Sequence, residues 1–227
     1  MADLASLYRF RFNQAQLPGK MRIWRVLCRE FFQTLIDPAS TVLDMACGYG
    51  EFINNIEAKS KHAIDLNPDT QGFLTDGIAF HQTSADEMVS VESSSIDIVF
   101  TSNFLEHLES KRACDDVFQE VGRVLRPGGK FIVMGPNIRY LAGKYWDFYD
   151  HHLPLSHASL EEGLSINGFR VIRNIPKFLP FTTRSALPQH PLLVSAYLKM
   201  PLAWLILGRQ FLLVAEKPIR ESALYQS

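Results

Sequence analysis

The sequence predicts an α/β fold, a mostly parallel sheet of seven strands with helices on both faces. Short apolar runs alternate with helical patterns along the chain, as a layered sheet-and-helix architecture requires. The early runs, "STVLDMA" and "SIDIVFTSN", are nearly continuous in apolar residues, the pattern of strands buried on both faces. Gly, Pro and Asn punctuate the runs at their ends.

Each element has its own signal. In "MRIWRVLCREFFQTL", Trp24, Leu27, Phe31 and Leu35 fall on one helical stripe, which predicts an amphipathic helix in a helical lead-in over residues 1–38. "STVLDMA" is the first strand, broken into a turn by Gly48 and Gly50, after which "EFINNIEA" is expected to resume as helix. "KHAIDLNPD" is a second strand stopped by Asn67 and Pro68, "IAFHQTSA" a weaker third, and "SIDIVFTSN" a strong fourth. "SKRACDDVFQEVGRVL" is helical with Ala113, Val117, Val121 and Val124 inward, and "RPGG" leads from it into a fifth strand, "KFIVMGPN". "SLEEGLSINGF" is a helix with Gly168 at its end. "FRVIRNI" and "RQFLLVAEK" are the sixth and seventh strands. Between those two lies an apolar, proline-rich insertion, residues 176–208, too long for an ordinary loop.

Composition narrows the function. A chain of 227 residues supports one sizeable core, so a single domain over 1–227 is expected. The formal net charge of -1 gives no electrostatic case for nucleic acid. Cys28, Cys47 and Cys114 are odd in number, widely spaced and without C-x-x-C pairs, so neither a disulfide framework nor a zinc site is expected. With no apolar leader in "MADLASLYRFRF" and no charge-free apolar window of membrane-spanning length, a cytoplasmic protein is expected.

In a sheet of this kind ligands bind beyond the carboxyl ends of the strands, near the switch in strand order. Asp44, Asp65 and the segments 83–86, 101–104 and 135–152 are therefore the places to look. The loop "MACGYGEF" lets backbone approach a ligand closely, and Asp65 follows at the spacing of an acid that takes ribose hydroxyls. Glu51 opens the segment after the loop, where it would repel a pyrophosphate and tolerate a ligand bearing cations. That acid, and the lack of a full G-x-G-x-x-G pattern, argue against a dinucleotide oxidoreductase.

Taken together, "LDMACGYGEF", "AIDLNPD", "SIDIVFTSNFLEHL" and "RVLRPGGKFIVMGPN" resemble the glycine loop, second-strand acid, fourth strand with its Glu-His pair, and fifth-strand segment of class I S-adenosylmethionine-dependent methyltransferases of the small-molecule type. The likeness spans roughly residues 40–175, with Ala46 in the place of the first glycine. It implies the Rossmann-like architecture of that family, with an antiparallel last strand, and S-adenosylmethionine as cofactor. It also implies that Asp44 and the backbone of Ala46, Cys47, Gly48 and Gly50 hold the methionine end. Asp65, with its neighbour Leu66, takes the ribose; Asp86 or Ser84 meets the adenine; and Ser102 and Asn103 line the methionine pocket.

Methyl transfer to a hydroxyl needs a base near the departing proton. The segment "NIRYLAGKYWDFYDHHLPLSH" offers His151 and His152 as candidates, with Asp150 beside them to orient one. His157 can instead begin the helix that follows, and no metal is expected. Glu106 and His107 can orient the next element or touch substrate. The expected activity is methylation of a small molecule at oxygen, on a sugar or a polysaccharide or lipid-linked precursor. Methylation at nitrogen or carbon, and a non-catalytic interaction module, are the alternatives. The insertion can supply a peripheral membrane or dimer contact, and its Arg184 can hold a phosphate or carboxylate.

Overall fold

A computed structural model describes residues 17–181 and 190–219. Arg184 lies outside them, as do residues 1–16 of the lead-in and 182–189 of the insertion. Helix α1, Leu17–Glu30, continues into a 3-10 turn at Phe32–Leu35. The strands are β1 Thr41–Met45, β2 Ser60–Ile64, β3 Ile78–His81, β4 Ile96–Ser102, β5 Leu125–Pro136, β6 Arg170–Ile175 and β7 Gln210–Glu216. Five further helices join them: α2 Lys111–Val124, α3 Ile138–Leu141, α4 His157–Ile166, α5 Pro191–Leu198 and α6 Pro201–Leu207.

All seven expected strands form one sheet in the order β3-β2-β1-β4-β5-β7-β6. β1 runs parallel to β2 and β4, β3 to β2 and β5 to β4, and β7 runs antiparallel to both β5 and β6. The order reverses between β1 and β4, so the switch point lies above Met45 and Ser102. Because β6 points the same way as β5, the segment between β6 and β7 both leaves and rejoins the sheet at the carboxyl edge.

The core divides into two layers by the period-2 alternation of the strands. Leu43, Val99, Phe131 and Leu213 face α2 and α4, while Val42, Phe100, Ile132 and Leu212 face α1, α5 and α6. The expected stripe on α1 is buried at Trp24, Leu27 and Phe31, with Leu35 packed at its margin. Phe32 anchors this layer. Its ring lies 5.1 Å from Phe100, 5.4 Å from Phe31, 5.8 Å from Phe52 and 6.1 Å from Trp24.

One element differs from expectation. Residues 51–56 run as successive turns rather than a regular helix. Asn54 spends its side chain on Phe73 O and Thr75 N, and Asn55 donates back to Glu51 O. Two asparagines bonding to backbone groups in this way compete with a helical ladder. The insertion, read from sequence as apolar, proline-rich and too long for an ordinary loop, contains α5 and α6, each opened by a proline in the first turn. None of the described helices is long and apolar enough to cross a membrane.

Phe32→Ala is expected to lower stability by about 3–5 kcal/mol, because the residue is fully buried amid five aromatic rings. Urea unfolding followed by circular dichroism checks this; a loss under about 1 kcal/mol would contradict the packing described.

Candidate active site

The loop after β1 is shaped by backbone that side chains rarely tolerate. Ala46, Gly48 and Gly50 have φ of 55°, 57° and 71°. The family-like loop has glycine at the Ala46 place, and the positive φ gives the reason: alanine is held there in the left-handed region. Gly50 is the most constrained, since a Cβ on it would lie 2.6 Å from Leu74 Cδ2 and 2.9 Å from Asn54 Nδ2.

Asp65 holds this loop in place. Its Oδ2 accepts from Gly48 N at 2.8 Å and its Oδ1 from Asn67 N at 2.9 Å. One carboxylate at the end of β2 thus ties together the glycine loop and the turn leading to β3. It has further lone pairs available for a ligand hydroxyl. Burial raises its pKa above the usual carboxylate range, the N–H groups of Asn67, Gly48 and Leu66 oppose the rise, and the charge of Glu51 adds to it.

Asp44 and Glu51 complete a group of three buried acids. Burial pushes the Asp44 carboxyl well above its ordinary range, and Glu51 and Asp65 push it further, against a hydrogen bond from the Ile53 backbone. Asp44 Oδ2 is buried with no hydrogen-bond partner among the described residues. Lys20 of α1 reaches over the loop to Glu51 Oε1 at 2.5 Å. An excess of buried carboxylate around a glycine loop suits a positively charged ligand, as a sulfonium with an α-ammonium group is. Cys47 lies in the same loop, but burial and the acids around it raise its thiol pKa steeply and keep it protonated.

On the rim, Leu66 projects largely exposed beside Asp65. Ser84 donates to Asp86 Oδ1, so the two alternatives for one ligand group form a single pair. At the end of β4, Thr101 Oγ1 donates to Met45 O at 2.8 Å, which locks the two strands that border the switch point. Ser102 is half-buried and Asn103 exposed, with φ 52° and its N–H on Met134 O.

The structure separates the two adjacent histidines. His151 is buried, stacked on Phe148 at 4.7 Å and tilted against Tyr145 at 4.7 Å. His152 has an exposed side chain, and its backbone N–H donates to Glu106 O. Asp150 meets His107: Nδ1 of that ring lies 3.1 Å from Asp150 Oδ2 and 3.0 Å from Asp150 O. The His107 and His151 rings sit 5.1 Å apart at 73°. Glu106 lies buried beside Gly135. Although no metal was expected, Glu106, His107 and His151 each offer a ligand-type atom, all within 4.8 Å of one another. Burial disfavours a charged His107, but the Asp150 carboxylate, the charge of Glu106 and the Asp150 carbonyl outweigh it and raise its pKa.

His157 is the first residue of α4, capped by Ser156, and its ring bonds to buried Asn137 at 2.9 Å. Asn137 also donates to Pro176 O at 2.8 Å, so one amide joins the ends of β5 and β6 to the start of α4. Lys20 carries no sequence signal, and Thr101 and Asn137 fall in the expected segments 101–104 and 135–152 without their roles being visible, because the partners of the three are 31, 56 and 39 residues away (51 − 20, 101 − 45 and 176 − 137).

Residues 43–133 match the family model described as a methyltransferase domain. No curated protein matches the chain. Among solved structures, an S-adenosylmethionine-dependent methyltransferase from Archaeoglobus fulgidus is similar at 20% identity and TM-score 0.63, over 95% of this chain and 100% of that one. A chain of the Haloferax volcanii complex containing the Trm112 methyltransferase activator aligns at 15% identity and TM-score 0.69, over 96% and 100%. A methyltransferase from Mesorhizobium loti aligns at 16% identity and TM-score 0.59, over 90% and 98%. The family model and the sheet order agree: residues 43–133 match a methyltransferase domain, and the sheet has the Rossmann-like architecture of class I S-adenosylmethionine-dependent methyltransferases. S-adenosylmethionine is its cofactor, and the acid-rich glycine loop fits that cation.

Gly50→Ala is expected to cost about 1–3 kcal/mol, since it combines a left-handed φ with contacts too short for a Cβ. Thermal unfolding reads the loss, and an unchanged midpoint would contradict the loop geometry.

Proposed function

We propose that the enzyme methylates a hydroxyl of a small molecule, a sugar or a polysaccharide or lipid-linked sugar precursor. The observation that carries this is the histidine cluster: His107 held by Asp150, with His151 packed against it, just past the carboxyl ends of β4 and β5. A hydroxyl attacking the sulfonium methyl must lose its proton, and a carboxylate-oriented imidazole is the group suited to take it. With Nδ1 engaged by Asp150, neutral His107 presents Nε2 as its basic atom. His107 therefore joins His151 and His152 as a base candidate, and is preferred to exposed His152.

In this proposal Asp44 and the loop from Ala46 to Gly50 hold the methionine end of the cofactor. Asp65 takes the ribose beside Leu66, the Ser84–Asp86 pair meets the adenine, and Ser102 and Asn103 line the methionine pocket. The cofactor supplies the methyl group, and the protein supplies position and a shielded site. A sugar-like acceptor is supported by Trp146 and Tyr149, which stand 58% and 93% exposed on the segment after β5 and offer flat faces for a sugar ring. A cytoplasmic setting is part of the proposal.

The test is methyl transfer from labelled S-adenosylmethionine to sugar nucleotides and lipid-linked sugars, with the pH profile measured for wild type and Asp150→Asn. His107 must be neutral to act, so activity is expected to rise with pH through its raised pKa. Removing the Asp150 charge lowers that pKa, so the acidic limb of the variant should move to lower pH while maximal turnover falls about 10-fold or more. Activity should survive a chelator. An unmoved acidic limb, or transfer only to nitrogen or carbon acceptors, would overturn the proposal.

A further inference from the structure

The outer face of α5 and α6 is built the wrong way round for a soluble protein. Both helices already bury an inner face: Leu198 and Trp204 pack against Phe178, Phe31 and α1. Ser195 of α5 is pinned to Glu30 of α1 at 2.7 Å. An ordinary surface helix would then present polar residues outward. Here Leu202, Leu205 and Ile206, spaced i, i+3 and i+4, are 77%, 61% and 71% exposed. Leu192, Leu193 and Met200 extend the same kind of surface at 74%, 52% and 57% exposed. Large apolar side chains exposed together along one face of a helix, as Leu202, Leu205 and Ile206 are, mark an interaction site.

The surrounding charge identifies the occupant. The sequence contains no Asp or Glu between Glu162 and Glu216, while Arg170, Arg173, Lys177, Arg184, Lys199 and Arg209 all fall in that stretch. Lys177 and Arg209 cap the end of α6 through the carbonyls of Leu205 and Ile206, which sets cations beside the leucines. Lys199 is exposed in the link between the two helices. The nearby carboxylate, Glu30, is bonded to Arg29 at 2.7 Å and to Ser195. Exposed leucines with a cationic border, whose nearby carboxylate is already engaged by Arg29 and Ser195, are the chemistry of a segment that lies in the interface of an anionic bilayer.

We propose that α5 and α6 dock this enzyme on an anionic membrane surface, with the exposed leucines entering the acyl boundary and Lys199 and Arg209 at the headgroups. The insertion leaves and rejoins the sheet at the carboxyl edge, so docking brings that edge near the bilayer. This deepens the lipid-linked version of the proposed acceptor, yet it is read without any acceptor present. Failure to dock leaves the hydroxyl chemistry intact, and failure to methylate lipid-linked sugars leaves docking intact.

The experiment is co-sedimentation of the full chain with phosphatidylcholine vesicles, with and without phosphatidylglycerol. Binding is expected to the anionic vesicles and to weaken with salt. Leu202→Ser/Ile206→Ser should reduce partitioning about tenfold or more, with an unchanged circular dichroism spectrum because both side chains face solvent. Lys199→Glu should weaken it independently, which keeps the test decisive if the double variant misfolds. No binding to anionic vesicles, or equal binding by all variants, would overturn the proposal. So would a dimer, seen by sedimentation velocity, that the leucine substitutions dissociate.

Discussion

The Asp65 carboxylate is the constraint on which the site depends. A glycine loop with positive φ at alternate positions, Ala46, Gly48 and Gly50, has no single conformation of its own, because glycine gives up much entropy to adopt one. Asp65 fixes it from the neighbouring strand by accepting from Gly48 N, while its second oxygen fixes the turn at Asn67. The same group is thereby buried near Glu51 and Asp44, at an electrostatic cost that each acid imposes on the next. A bound cation relieves that cost. The loop is therefore organised in advance, and its field favours a sulfonium over a pyrophosphate, from one carboxylate position.

The second organising feature is the way long-range polar contacts gather the strand ends. Thr101 joins β4 to β1, Asn137 joins β5 to β6 and α4, and Glu106 O receives two N–H groups from the 151–153 segment. Each contact involves backbone that would otherwise end a strand with an unmet group. The result is a rigid carboxyl edge on which the histidine cluster is held by packing against Phe148 and Tyr145.

Much of this was legible in sequence for a physical reason. Strand runs such as "DIVF" and the helical stripe at Trp24, Leu27 and Phe31 are local patterns, and sheet burial obeys them. The loop and Asp65 were legible because they are adjacent to strand ends, where ligands bind in this architecture. The pairing of Asp150 with His107 was not, since it spans 43 residues and competes with two histidines next to Asp150 in the chain. Nor were the turns at 51–56 visible, because the asparagine partners Phe73 and Thr75 are distant in sequence. The helices of the insertion escaped notice because their apolar residues lie on both faces and give no amphipathic period.

The most direct test of the Asp65 clamp is calorimetric titration of the purified protein with S-adenosylmethionine, compared with NADH and repeated on Asp65→Ala. The clamp predicts binding of S-adenosylmethionine on the order of micromolar and none of NADH. It also predicts a loss of about 100-fold or more in the variant, whose circular dichroism spectrum stays native. Equal affinity in wild type and Asp65→Ala would show that the loop is held and charged by other groups, and would contradict the account.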